Sequence, residues 1–181
     1  MAEGDQDWQD VGDDLDELFD VVDADDRVIG TAPRWRVHRD GLKHRAIHVL
    51  LWNDTGKVYL QLRSAQKDTH PGCWDSSCSG HLDAGEGYLE AAVRELGEEL
   101  GLRVGRADLE EEGRIAACGE TGNEFVAVYR LFSSVEPQPD PDEIAEGRWF
   151  EGSEVESLLG DPRWPAAPAF RLIWRKLFHA D

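Results

Sequence analysis

Between residues 80 and 102 the chain reads GHLDAGEGYLEAAVRELGEELGL, and this stretch limits the fold more than any other. Leu89, Ala92, Val93, Leu96 and Leu100 recur at three- and four-residue steps, the period of a helix with one apolar face. The spacing predicts a helix over 87–100, entered from a loop with Gly80, Gly85 and Gly87 and stopped by Gly101. A helix with one apolar stripe must bury it against another layer. Its other surface carries Glu95, Glu98 and Glu99. At about 100° per residue, Glu98 lies about 60° to one side of Glu95 and Glu99 about 40° to the other. Three like charges on one face repel unless something compensates them. A divalent, oxygen-seeking ion such as Mg²⁺ would do so, and glycines let backbone approach an ion or a phosphate closely. Taken alone, RELGEE also suits a solvated acidic stripe.

The rest of the chain supplies the layer. LFDVVD and RVIGTAPR, separated by ADD, read as a hairpin turning at Asp25–Asp26; RAIHVLLWN and KVYLQLRS, joined by DTG, read as a second. KDTHPGCWDSSCSGH holds a Pro-Gly turn and a short extended piece. GRIAACGE and EFVAVYRLFSS form a further strand pair, EPQPDPDE a proline-broken loop, and GRWF a short strand. Ser153 is placed to cap a brief helix through Leu159, and a last helix starts near Pro165 and runs to about Phe178. Phe170, Trp174 and Phe178 give that helix an apolar face that packs on the domain or makes a homodimer contact. Trp35, Trp52, Trp74, Trp149, Trp164 and Trp174 read as core or interface. This mixed order predicts an α/β or α+β fold, with residues 1–16 an acidic tail and 17–181 one domain around one core.

Nineteen Lys and Arg against 38 Asp and Glu leave a formal charge of −19. Such a surface repels phosphate backbones, which argues against a nucleic-acid polymer as partner; a small anion bridged by divalent cations stays open. Cys73, Cys78 and Cys118 lack paired metal-binding spacing and argue for a reducing compartment rather than a disulfide framework. The first twenty residues lack the basic start and apolar run of a signal peptide, and no segment approaches the roughly 18 apolar residues of a membrane span. The expectation is a cytoplasmic protein without a membrane partner.

The spacing of Gly80, Glu86, Arg94, Glu95, Glu98, Glu99 and Gly101 resembles the G-x5-E-x7-R-E-(apolar)-x-E-E-x-G-(apolar) signature of the Nudix hydrolase superfamily at every fixed position. The resemblance implies an α/β/α sandwich with a mixed β-sheet. It also implies Mg²⁺- or Mn²⁺-dependent cleavage of a small-molecule diphosphate, such as a nucleoside diphosphate linked to another moiety. Carried over by position, it makes Glu95, Glu98 and Glu99 metal ligands, with the Gly80 carbonyl as an extra one. Glu86 and Arg94 orient the loop and helix. Glu98 or Glu99 serves as base toward water. Glu124, opening EFVAVYR, is the alternative base or ligand from outside the helix; its plainer reading is a strand-end glutamate.

GLKHRAIHVLLWN, LQLRSAQKDTHPGCW and CSGH extend the likeness to the branch that holds type I isopentenyl diphosphate isomerases, over roughly residues 38–150. In those enzymes histidines and glutamates hold a metal, while a cysteine and a glutamate move protons on opposite faces of the alkene. His44 and His81 match two ligand positions and form a candidate second metal site, and Glu124 resembles a third ligand. His38 falls one residue short in spacing. The alternative reading of His44 and His81 is that they tie loops together. Where the isomerases carry the thiol this chain has Ser79, with Cys78 one place early on the opposite face of an extended segment. Gly122 stands where a further glutamate is expected. The intact hydrolase motif therefore favours a diphosphate hydrolase, with isopentenyl diphosphate isomerase as the alternative. His48 reads as a packed or hydrogen-bonded strand residue, and His70 and His179 as surface residues.

Overall fold

A computed structural model describes residues 17–178; the acidic 1–16 segment and His179 lie outside the described residues. The chain runs β1 (Leu18–Val22), β2 (Val28–Pro33), α1 (Arg34–Asp40), β3 (His44–Trp52), β4 (Val58–Arg63), β5 (Trp74–Asp75) and β6 (Cys78–His81). It continues through α2 (Tyr88–Leu100), β7 (Leu109–Ile115), β8 (Glu124–Phe132), β9 (Ile144–Phe150), α3 (Gly152–Gly160) and α4 (Pro168–Ile173). A π-helical turn, Trp174–Phe178, extends α4.

Strand β3 organises the interior, because alternate residues of a strand face opposite ways. Ile47, Val49 and Leu51 pack with Ala92, Leu96 and Leu100 of α2. Ala46 meets Leu172 and Ile173, and Leu50 meets Phe170 and Trp174 of the terminal helix. The sheet thus lies between α2 on one face and α3 with α4 on the other. β3 pairs in parallel with β8 along its whole length, whereas β4, β6, β7 and β9 join antiparallel, so the sheet is mixed. This is the α/β/α sandwich that the family resemblance implies.

The β3–β4 hairpin opens almost at once. Only Leu51↔Tyr59 and Trp52↔Val58 are paired; nearer the start of β3, β6 takes the place of β4, which turns to β5 and β9. Ser77 sits in the fork. Its hydroxyl accepts from the Leu51 N–H at 2.7 Å and donates to the Tyr59 carbonyl at 2.5 Å. It thereby satisfies two backbone groups that the splay would otherwise strand. The cleft between β4 and β6 is where the functional groups gather.

The two-stranded β1–β2 hairpin clasps the glycine loop before α2. Ala84 N–H donates to the Leu18 carbonyl at 2.8 Å, Gly85 N–H to Asp20 Oδ2 at 3.0 Å, and the Tyr88 hydroxyl to Asp26 Oδ2 at 2.8 Å. Arg45 of β3 holds the other oxygen of Asp26 at 2.6 Å.

Several local expectations change. α1 arises from RWRVHRD, which has only Val37 as a buried aliphatic and no readable stripe. β7 starts at Leu109 rather than Gly113, through Glu110 and Glu111, charged residues that an exposed edge tolerates. β9 starts at Ile144 and so extends well before GRWF. Ser153 lies inside α3, whose N-cap is Glu151 and makes no side-chain cap bond. α4 begins at Pro168, not near Pro165, because Trp74 N–H donates to the Pro165 carbonyl and Ala167 N–H to that of Trp74, holding the intervening chain extended. Trp35, read as core or interface, is not in the core: it is 44% exposed, with the Arg39 guanidinium 4.8 Å from its ring centre.

Candidate active site

The splay opens a pocket of about 320 Å³. Its walls come from the start of β3, β4, β6, the motif face of α2, the turn before β8 and the loops at 67–70 and 140–143. Gly80, His81, Arg94, Glu95, Glu98, Glu99 and Glu124 all line it, while Glu86 and His44 stand behind the wall.

Arg94 organises the helix side. Its Nε and Nη2 donate to Glu86 Oε1 and Oε2 at 3.0 and 2.9 Å, and Nη2 also reaches the His81 carbonyl at 3.0 Å. Its Nη1 bridges Glu95 Oε1 at 2.8 Å and Glu98 Oε2 at 3.0 Å. One planar fork therefore ties loop, β6 and helix together. The three glutamates differ in depth: the Glu98 side chain is 60% exposed at the rim, whereas Glu99 is 3% exposed. Glu99 Oε2 accepts from Gln61 Nε2 and from the Ser79 N–H, each at 3.2 Å. Glu95 lies directly over Gly80, where any Cβ would overlap its carboxylate.

Burial pushes Glu95 up to about 8, with repulsion from Glu99 adding and Arg94 partly offsetting. Burial likewise pushes Glu99 up to about 7 against the pull of Lys67. Acids held this way fit a cation, because an added positive charge removes the cost of ionising them together.

A second cluster lies beside them. His38, His44 and His81 each offer a ring nitrogen, all within 4.8 Å of one another, the one such three-residue group among the described residues. His44 Nδ1 lies 3.0 Å from the Leu42 carbonyl, which only a proton on that nitrogen can bridge, so in the neutral ring Nε2 keeps its lone pair. His44 Nε2 and His38 Nε2 are buried without a hydrogen-bond partner. Glu124 Oε1 is 3.0 Å from His81 Nε2 and 3.5 Å from His44 Nε2. Burial raises the Glu124 carboxyl, but the hydrogen bond from His81 and the neighbouring His44 ring outweigh it and hold Glu124 well below the usual range. Burial lowers His38, and it lowers His81 to about 3, so both are neutral near pH 7. Two orphaned ring nitrogens beside a carboxylate suit a metal ion. The short His38–His44 spacing is no obstacle, since α1 carries His38 back over the start of β3.

Sequence reasoning named no substrate-binding residue, yet the pocket contains Arg34, Arg63 and Lys67. Arg63 Nε donates to the Thr69 carbonyl at 3.0 Å, and its Nη1 is 3.4 Å from Asp75 Oδ2. Lys67 pairs with Glu143. Arg34 joins Asp68 at 3.0 Å and Glu17 at 3.3 Å. Arg63 and Lys67 stand in the LQLRSAQK stretch that prompted the isomerase likeness, which was the available signal. Ser79 faces the pocket, while Cys78 is fully buried with the α2 core, its thiol pushed up by burial and by Glu99.

The sequence model of the Nudix domain matches residues 42–172. An isopentenyl-diphosphate Delta-isomerase of Nocardia farcinica is 35% identical over 159 residues, covering 86% of this chain and 88% of that protein. An uncharacterised Nudix hydrolase of Pseudomonas aeruginosa is 39% identical over 135 residues, covering 74% and 78%. A crystal structure from Deinococcus radiodurans superposes with a TM-score of 0.79 at 25% identity, covering 90% of this chain and all of that one. With the motif helix, the mixed sheet and these likenesses in agreement, the chain belongs to the Nudix family of hydrolases.

Proposed function

We propose that residues 17–181 form one Nudix domain that hydrolyses a small diphosphate, nucleoside-linked or related, with Mg²⁺ or Mn²⁺. The observation that carries this reading is that Glu95 and Glu99 open on the same pocket as Arg63 and Lys67, so carboxylates for a cation face cations for a phosphate. Glu95, Glu98 and Glu99, with the Gly80 carbonyl, would hold the ion. When bound, such an ion neutralises the diphosphate and makes a water more acidic. Arg63 and Lys67 orient the phosphate oxygens, Lys67 exchanging Glu143 for substrate. Water adds to one phosphorus, the bridging oxygen leaves with the other fragment, and Glu99 or Glu98 takes the proton. Glu124 is the weaker base, since His81 Nε2 already lies 3.0 Å from its carboxylate, which is held well below the usual range.

The test is turnover of a pooled diphosphate panel with Mg²⁺ or Mn²⁺, read by mass spectrometry, for wild type and for Glu98→Gln and Glu99→Gln. Wild type should release two fragments, and the variants should lose on the order of 10²-fold or more. Near-wild-type rates in both variants would defeat the assignment. The imidazole cluster with Glu124 favours a second reading, isomerisation of isopentenyl diphosphate. Conversion at constant mass would establish it; Ser79 in place of a thiol speaks against it.

A further inference from the structure

His48 lies where strand periodicity calls for a hydrocarbon. Its neighbours on the same face of β3, Ala46 and Leu50, belong to the core, and His48 itself is 4% exposed. It lines the pocket as the cross-strand partner of Ser79. A polar network fixes its ring. Nδ1 is 2.5 Å from Ser76 Oγ and 3.6 Å from Asp75 Oδ1. Ser76 Oγ lies 3.2 Å from the same Asp75 oxygen, and Arg63 Nη1 is 3.4 Å from the other. The serine hydroxyl has one proton, and the acceptor-only carboxylate draws it. Ser76 Oγ then accepts from Nδ1–H, which leaves Nε2 unprotonated. Burial favours this neutral ring over the charge of Asp75. Among the described residues Nε2 has no partner, and it is not one of the sealed orphan atoms, so it is open to the cavity.

The other walls agree. The hydrocarbon lining consists of Ala46, Ala167 and Ala169; no Val, Leu, Ile, Met, Phe, Tyr or Trp among the described residues lines the pocket. A hydrocarbon tail there would gain little of the ~0.8 kcal/mol per buried CH₂ that an apolar site supplies. It would also cover the Nε2 lone pair without replacing its hydrogen bond, a loss that polar sites use to reject apolar analogues.

We propose that His48 reads the substrate: its Nε2 accepts a hydrogen bond from a hydroxyl or N–H on the group joined to the diphosphate. The substrate class is therefore a diphosphate bearing a donor-rich moiety, such as a sugar or nucleoside, and not a hydrocarbon one. This rests on the diphosphate-hydrolase reading above, and Ser76 and Asp75 serve as positioning residues.

The experiment compares kcat/KM for UDP-glucose and ADP-ribose with that for isopentenyl and n-pentyl diphosphate, in wild type, His48→Leu, His48→Gln and Ser76→Ala. Wild type should cleave a donor-bearing compound in preference. His48→Leu should lower that kcat/KM by about 5- to 150-fold, the range for a lost partner to a buried polar group. Any turnover of the hydrocarbon compounds should change little. His48→Gln, which keeps an acceptor, should recover most of the loss, and Ser76→Ala should reproduce a smaller part of it. Thermal melts identify variants that fail to fold; should His48→Leu be one, Ser76→Ala carries the comparison. Preference of wild type for the hydrocarbon compounds, or equal losses in His48→Leu and His48→Gln, overturns this proposal and leaves hydrolysis standing. No cleavage of any compound by wild type overturns the hydrolase reading and this proposal with it.

Discussion

Replacing Glu99 with glutamine should stabilise the metal-free protein while disabling it. Glu99 is buried, and burial pushes its carboxyl from 4.5 up to about 7. The folded state therefore holds this proton to higher pH than the unfolded chain does, and ionising the group opposes folding. Each pKa unit is worth about 1.4 kcal/mol, so a rise of that size costs about 3 kcal/mol once both states are ionised. The penalty is absent below pH 4.5, grows as pH rises from 4.5 to about 7, and is complete above that. Glutamine never ionises, and its side-chain oxygen can still accept from Gln61 Nε2 and the Ser79 N–H. In EDTA at pH 8, Glu99→Gln should melt roughly 6–12 °C above wild type, at about 2–4 °C per kcal/mol for a chain of this size. At pH 4.5 the gap should nearly close. Saturating Mg²⁺ should raise wild type by more than it raises the variant. Calorimetric melts at both pH values, with and without metal, read this directly. A variant that melts at or below wild type at pH 8 in EDTA would refute the claim that an uncompensated buried charge sits at Glu99.

Arg94→Ala strands Glu86 and Glu95 without their shared partner and should cost about 3–5 kcal/mol; Arg94→Lys, which cannot span Glu86, Glu95 and the His81 carbonyl together, should lose less. Denaturant titration checks both, and a loss below 1 kcal/mol for the alanine variant would mean that water replaces the guanidinium freely. His38→Ala and His44→Ala should each weaken one class of bound Mn²⁺ or Zn²⁺ by more than about tenfold, since even partners behind the ligands matter by 10- to 100-fold. Metal titration with elemental analysis tests this, and unchanged stoichiometry and affinity would assign the imidazoles to loop packing.

The α2 helix was legible almost to the residue, 87–100 against Tyr88–Leu100, because its period and its Gly101 stop are local chemistry. The β3–β4 turn was legible for the same reason. The opening of that hairpin was not, because Ser77, some 26 residues from its partner Leu51, holds the fork apart, and no pattern in either strand announces it. His38 was discounted on spacing, since a seven-residue helix with one buried aliphatic leaves no periodic trace. Glu95, Glu98 and Glu99 could be read as one face, but their different depths depend on the sheet edge they meet. Arg63 and Lys67 could be singled out only through the LQLRSAQK likeness, because a lone cation in a strand or loop looks the same whether it serves solvent or a pocket.

The clasp made by β1 and β2 has a practical consequence for where the catalytic unit ends. The family match begins at residue 42, yet the glycine loop hangs from Leu18, Asp20 and Asp26, and both His38 and Arg34 belong to the preceding segment. A truncation cut at the recognised domain edge would keep every motif residue and still lose one side of the pocket. Any piece that keeps both the clasp and the Arg34 side of the pocket starts no later than the first strand.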